Sequence, residues 1–220
     1  KMLSVVNDEL VIEAKGIYSI EKFLISRRLM YWQVYLHKTS LASEKMLINA
    51  LKRAKELYKQ NKTVYLTPSL EYFIKQDIQL NDFIKDSECL DHFVRLDDTD
   101  ILTCLKYWIT NDDFILSTLS NGLVNRKLYK IEISNSPFDE SYILEKKLGL
   151  ANRYKLNSVE LAYFAFEGSI SSELYSSGDD TIKILYKTGE VVDIATASDL
   201  IIMSQNSTNR KKYFFCYVRN

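Results

Sequence analysis

Apolar side chains occupy almost every angular position of a helix between Ile17 and Thr39, whereas from Leu41 onward they collect on one side. This contrast organises the first half of the chain. Before it, Val5-Val6 and Leu10-Val11-Ile12 flank Asn7-Asp8 and predict a small hairpin over Leu3 to Ala14, Asn-Asp being an acceptable turn pair. Residues 17 to about 39 contain no Gly or Pro and predict one long helix. A second runs from about Leu41 to Gln60, with Leu47, Leu51, Ala54 and Tyr58 on one face and Lys45, Lys52, Lys55 and Lys59 elsewhere. Thr67, Pro68 and Glu71 carry the N-cap, first-turn and capping-box signals of a third helix. Asp77 to Lys85 predicts one or two helical turns.

Leu96-Asp97-Asp98-Thr99-Asp100 predicts a capped start for a helix through Ile101, Leu105 and Trp108. Another runs from Asp112 to Ser120 and stops at Asn121-Gly122. The pattern then changes. Leu128 to Ile133 alternates apolar and polar, as a half-buried strand does. Ser136-Pro137 predicts a helix that ends at Gly149. Strands are expected at Val159–Phe166, Thr181–Lys187 and Glu190–Ala195, then a short helix near Ala197–Met203 and a strand at Tyr213–Val218. The fold class is α+β. An all-helical part (residues 1–125) precedes an α+β part (residues 126–220) with a mostly antiparallel sheet, compatible with a ferredoxin-like or related arrangement.

Composition narrows the function classes. Lys+Arg and Asp+Glu both number 29, a zero net charge that gives no strong nucleic-acid signal. Three cysteines without metal-type spacing, Cys89, Cys104 and Cys216, suggest free thiols in a cytoplasmic chain. No apolar run approaches the roughly 18 residues of a membrane span.

Candidate chemistry sits on the first long helix. Arg27, Tyr31, Tyr35 and Lys38 are spaced by four, four and three residues and line up within one quadrant. The surrounding apolar residues predict a nearly all-round buried helix, and buried cations need anions. Arg supplies a planar fork for phosphate oxygens, Lys a point charge, and Tyr a flat face with a hydroxyl. Pattern alone favours a structural explanation, with aromatic core residues and Arg27 paired to a carboxylate such as Glu21 or Glu44.

The stretch Ser26-Arg27-Arg28-Leu29-Met30-Tyr31-Trp32-Gln33-Val34-Tyr35-Leu36-His37-Lys38-Thr39, however, closely resembles a segment of the bacterial HD-superfamily phosphohydrolases related to deoxynucleoside triphosphate triphosphohydrolases (dGTPase-like). The likeness continues through Ala42 to Leu47 and resumes at Arg95–Ile101 and Asn125–Lys130. It covers most of the first 135 residues. The resemblance implies cleavage of a deoxynucleoside triphosphate to nucleoside and triphosphate. It also implies Arg27 on the triphosphate, Tyr35 against the deoxyribose, Tyr31 facing the same pocket, and His37 and Lys38 on the phosphates of an effector nucleotide at a subunit interface. A homo-oligomer without membrane attachment is expected.

An HD site needs a His, a His-Asp doublet and a further Asp to hold a divalent metal and activate water. The chain has only His37 and His92, neither followed by Asp. The metal ligands are therefore expected outside this chain, which reads as the C-terminal part of a longer enzyme, inactive by itself. Asp97-Asp98 reads as a helix cap, Asp179-Asp180 as a solvated turn, and His92 as an ordinary surface or half-buried histidine, while Arg210-Lys211-Lys212 could touch phosphate but is more simply exposed. The competing expectations are a non-catalytic nucleotide-sensing or oligomerisation module and a purely structural helical domain.

Overall fold

The computed structural model describes residues 2–85, 87–170, 181–198 and 211–219. Asp179-Asp180, Arg210 and most of the helix expected near Ala197–Met203 lie outside them. The fold is α+β, as the pattern of the two halves leads one to expect.

β1 (Leu3–Val6) and β2 (Glu9–Glu13) form the expected hairpin. Asn7 and Asp8 both take positive φ, 51° and 64°, the backbone that a two-residue hairpin turn needs and that Asn and Asp tolerate. A 3-10 turn, Ala14–Gly16, leads into α1 (Ile17–Met30). The helix then widens into a π-helix, Tyr31–Tyr35, and breaks at Leu36–His37 before α2 (Lys38–Lys59). The single helix expected over 17–39 is thus two segments and a break. α2 is amphipathic as expected, but its deepest stripe is Met46, Ala50, Ala54 and Leu57, while Leu47, Leu51 and Tyr58 are only half-buried.

The remaining helices of this part are α3 (Pro68–Lys75), α4 (Leu80–Lys85), α5 (Ser87–Arg95), α6 (Asp98–Trp108) and α7 (Phe114–Val124). Thr67 makes no side-chain cap on α3, contrary to expectation. α6 has the capping box in full: Asp97 accepts from the amides of Thr99 and Asp100, and the Asp100 carboxylate accepts from the Asp97 amide. Gly122 lies inside α7 rather than at its stop. A Cβ there would stand 2.6 Å from Met46 Cε and 3.1 Å from the Lys127 carbonyl, so the glycine permits close packing of α7 on α2.

β3 (Lys130–Ser134) precedes α8 (Glu140–Tyr154). The cap of α8 is Asp139, which accepts from the Ser141 amide (2.7 Å), so the helix begins after the Ser136-Pro137 signal and runs through Gly149. Most of the strand expected at Val159–Phe166 is instead helix, α9 (Ser158–Phe164). Its capping box pairs Asn157 with Glu160 and outweighs the alternating pattern that follows. β4 (Ala165–Ile170), β5 (Lys183–Leu185), β6 (Val191–Asp193), α10 (Ile194–Ala197) and β7 (Lys212–Tyr217) complete the described elements.

One sheet has the order β1-β2-β5-β6, the other β3-β7-β4. In the first, β2 pairs in parallel with β5, Ile12 opposite Ile184, so the N-terminal hairpin joins strands some 170 residues away. The chain forms two compact units, one of residues 1–37, 133–138 and 168–214, the other of residues 38–132, 139–167 and 215–220. The division expected at residue 125 gives way to interleaved segments. The core of the first unit is Ile12, Leu24, Ile184 and Ile194. In the second, Met46, Leu57, Trp108, Leu116 and Phe164 are fully buried.

Candidate functional site

α1 buries only Glu21 and Leu24, and the π-helix buries nothing. This overturns the expectation of a nearly all-round buried helix. Phe23 is 61% exposed, Leu29 52%, Val34 56% and Tyr35 55%. The all-round apolar pattern is real, but within this chain only one narrow stripe of it is covered. Glu21, in that stripe, accepts a hydrogen bond from the Ser198 hydroxyl.

The expected alignment of Arg27, Tyr31 and Tyr35 is present. The Arg27 guanidinium carbon stands 4.9 Å from the centroid of the Tyr31 ring. The Tyr31 and Tyr35 rings follow with centroids 5.0 Å apart, tilted by 38°. Neither carboxylate suggested by the pattern holds Arg27, since Glu21 is engaged with Ser198 and Glu44 with Lys45 (2.7 Å). Among the described residues Arg27 has no ion-pair partner. An exposed guanidinium stacked on a phenol keeps its planar fork open to an incoming anion.

The backbone beneath is unusual as well. The Leu36 amide donates to the Tyr31 carbonyl at 2.7 Å, the i to i+5 bond of a π turn. Such turns are rare and concentrate at functional sites. His37 follows in the break, its amide donating weakly to the Val34 carbonyl (3.4 Å), and Lys38 opens α2. Lys38 belongs to the other compact unit, so the ladder that stands on one body is Arg27, Tyr31 and Tyr35. Lys212, read from the sequence as exposed, is instead partly buried, its ammonium 4.2 Å from the Trp32 ring centroid, which adds a cation to the same segment.

The remaining candidates are ordinary. His92 stacks on Tyr72, centroids 4.5 Å apart, with Glu88 3.8 Å from Nε2. Cys89, Cys104 and Cys216 are buried and form no disulfide among the described residues, and burial pushes the Cys216 thiol up to about 12. Such a thiol is a poor nucleophile. Among the described residues no cluster of three or more His, Cys, Asp or Glu side chains could hold a metal ion. No described helix is long and apolar enough to cross a membrane.

Residues 1–67, which contain this segment, match the family described as HD associated region. Over its whole length the chain is 48% identical to a phosphohydrolase of Bacteroides thetaiotaomicron VPI-5482 whose crystal structure superposes with a TM-score of 0.84, and it covers 54% of that chain. It is 26% identical over 216 residues to YwfO of Bacillus subtilis (strain 168), covering 94% of this chain and 47% of that protein. A hypothetical protein of Aquifex aeolicus, 20% identical with a TM-score of 0.57, shares the fold. The chain spans about half the length of these relatives. The matches support a relationship to the HD-superfamily phosphohydrolases.

Proposed function

We propose that this chain forms the nucleotide-facing part of an HD-superfamily phosphohydrolase that cleaves deoxynucleoside triphosphates to nucleoside and triphosphate. The observation that carries the reading is the exposed ladder of Arg27, Tyr31 and Tyr35 on a helix that widens into a π turn, with the guanidinium free of carboxylates among the described residues. In this reading Arg27 forks onto the triphosphate, Tyr35 packs against the deoxyribose, and Tyr31 holds the guanidinium from behind while facing the same pocket. The divalent metal and its ligands lie on the rest of the protein, the relatives being about twice as long. His37 and Lys38 are assigned to effector phosphates at a contact between subunits of a homo-oligomer.

The complete protein, supplied with a divalent metal, is expected to release triphosphate from a deoxynucleotide. Arg27→Ala is expected to lower turnover by about a hundredfold, the scale of one lost charge-assisted, bidentate contact. Turnover unchanged in that variant removes the assignment.

A second reading draws on the exposed apolar side chains Phe23, Leu29, Met30 and Val34 around the same ladder. Such a surface suits packing against another body, and the chain would then be a nucleotide-sensing or oligomerisation module. Nucleotide binding with no hydrolysis by the complete protein would favour it.

A further inference from the structure

The second unit contains a pocket that plays no part in the nucleotide reading. It lies along α8 and the parts of β3 and β7 in that unit and encloses about 460 Å³, within the range of small-ligand sites. Lys146 and Arg153 of α8 line it together with Arg219, which follows β7. Lys130 also lines it but is committed to Glu132, 2.8 Å away. Glu145 is the carboxylate in the lining.

Lys146, Arg153 and Arg219 make no ion pair among the described residues. The Lys146 ammonium lies 5.4 Å from the Tyr142 ring centroid and the Arg153 guanidinium 5.4 Å from that of Tyr154. Arg219 contributes only its carbonyl, to the Tyr154 hydroxyl (3.4 Å). Set against the one further lining carboxylate, Glu145, and with Lys130 paired to Glu132, these three cations leave the concavity net positive, a field that favours an anion.

Gly149 is the second observation. Lys146, Gly149, Leu150 and Arg153 fall on one helical face, placing the glycine between the two cations. An interior helix glycine costs about 1 kcal/mol relative to alanine. Gly122 answers that cost through close packing on Met46. At Gly149 no atom lies within 4 Å of where a Cβ would stand, so no neighbour requires it. Gly149 is exposed and lines the pocket, so a large side chain there would project between Lys146 and Arg153.

We propose that this pocket binds a compact, multivalent phosphate-class anion, either inorganic oligophosphate or the phosphate end of a nucleotide. Arg153 and Arg219 offer planar forks, Lys146 a point charge, and Tyr217 a flat wall. The site uses none of the residues assigned to the substrate and stands or falls separately from that assignment.

The test is calorimetric titration of the full chain carrying Arg27→Ala, which removes the arginine of the first site, with inorganic triphosphate and then a nucleoside triphosphate. Saturable binding of triphosphate is expected, weakened about tenfold by Arg153→Ala and by Lys146→Ala, the scale of one charged hydrogen bond each. Gly149→Leu is expected to weaken binding while leaving the melting temperature unchanged or raised, since leucine favours the helix. Tighter binding of the nucleotide than of inorganic triphosphate identifies a nucleotide as the natural source, and equal affinity identifies free oligophosphate. Absence of triphosphate binding, binding indifferent to both Arg153→Ala and Gly149→Leu, or binding of a single-stranded oligonucleotide alone overturns the proposal.

Discussion

α1 with its π extension and α2 are consecutive, free of proline and rich in apolar residues, yet they serve opposite ends. α2 concentrates its apolar residues on one stripe, and that stripe is fully buried from Leu41 to Leu57. α1 spreads them all round, and most remain exposed. The same division holds for their arginines. Arg53 of α2 forks onto Asp113 with bonds of 3.0 and 2.7 Å and reaches Glu56 at 3.0 Å. Arg27 of α1 has an aromatic face behind it and no carboxylate among the described residues. A cation whose partner lies in the same unit holds structure together. One left open with its geometry fixed is available to a ligand.

Removing Arg53 is expected to have the largest effect on stability. Both side chains of the Arg53–Asp113 pair are mostly buried, 12% and 13% exposed, and Arg53→Ala leaves a carboxylate without its partner. The loss is expected to be about 3 kcal/mol, read from denaturant unfolding. A loss below about 0.5 kcal/mol would erase the distinction between the two helices.

The pH dependence of the same pair sharpens the comparison. Burial pushes the Asp113 carboxyl up, but the Arg53 guanidinium and the Leu116 amide pull harder and hold it below its ordinary value. Because the folded pKa is depressed, the contribution is fully present above the unfolded value, roughly pH 4. It is lost as pH falls through the lower folded value. Melting temperatures measured downward from about pH 5 should therefore fall less steeply in Asp113→Asn than in the parent protein.

Arg27→Ala and Tyr35→Ala are expected to have the smallest effect, within about 0.5 kcal/mol in the isolated chain, as for exposed residues held by no ion pair and no buried contact. A larger loss would return the ladder to a structural role.

Local chemistry was the most legible part of the sequence. The Asn7-Asp8 turn and the capped start of α6 are decided by neighbours within a few residues, and both stand where expected. Competing local signals misled. Asp139 caps α8 in place of Ser136, and the Asn157–Glu160 box makes a helix of a segment that alternates like a strand. Gly122 resembled a stop because its reason, close packing on Met46, is tertiary, and Gly149 because α8 runs on past it to Tyr154. The parallel pairing of β2 with β5 is fixed by contacts across most of the chain, which no local period encodes. The ladder of Arg27, Tyr31 and Tyr35 followed from spacing alone. Its exposure did not, since an all-round apolar helix reports that some partner suits it, not which body supplies that partner.

The most direct test of the open-cation account is Arg27→Ala set beside Arg53→Ala in the complete, metal-supplied protein, with triphosphate release and melting temperature measured on both. The account predicts that Arg27→Ala loses about two orders of magnitude in turnover at an unchanged melting temperature, while Arg53→Ala lowers the melting temperature. Full turnover in Arg27→Ala, or a loss fully explained by unfolding, would contradict it.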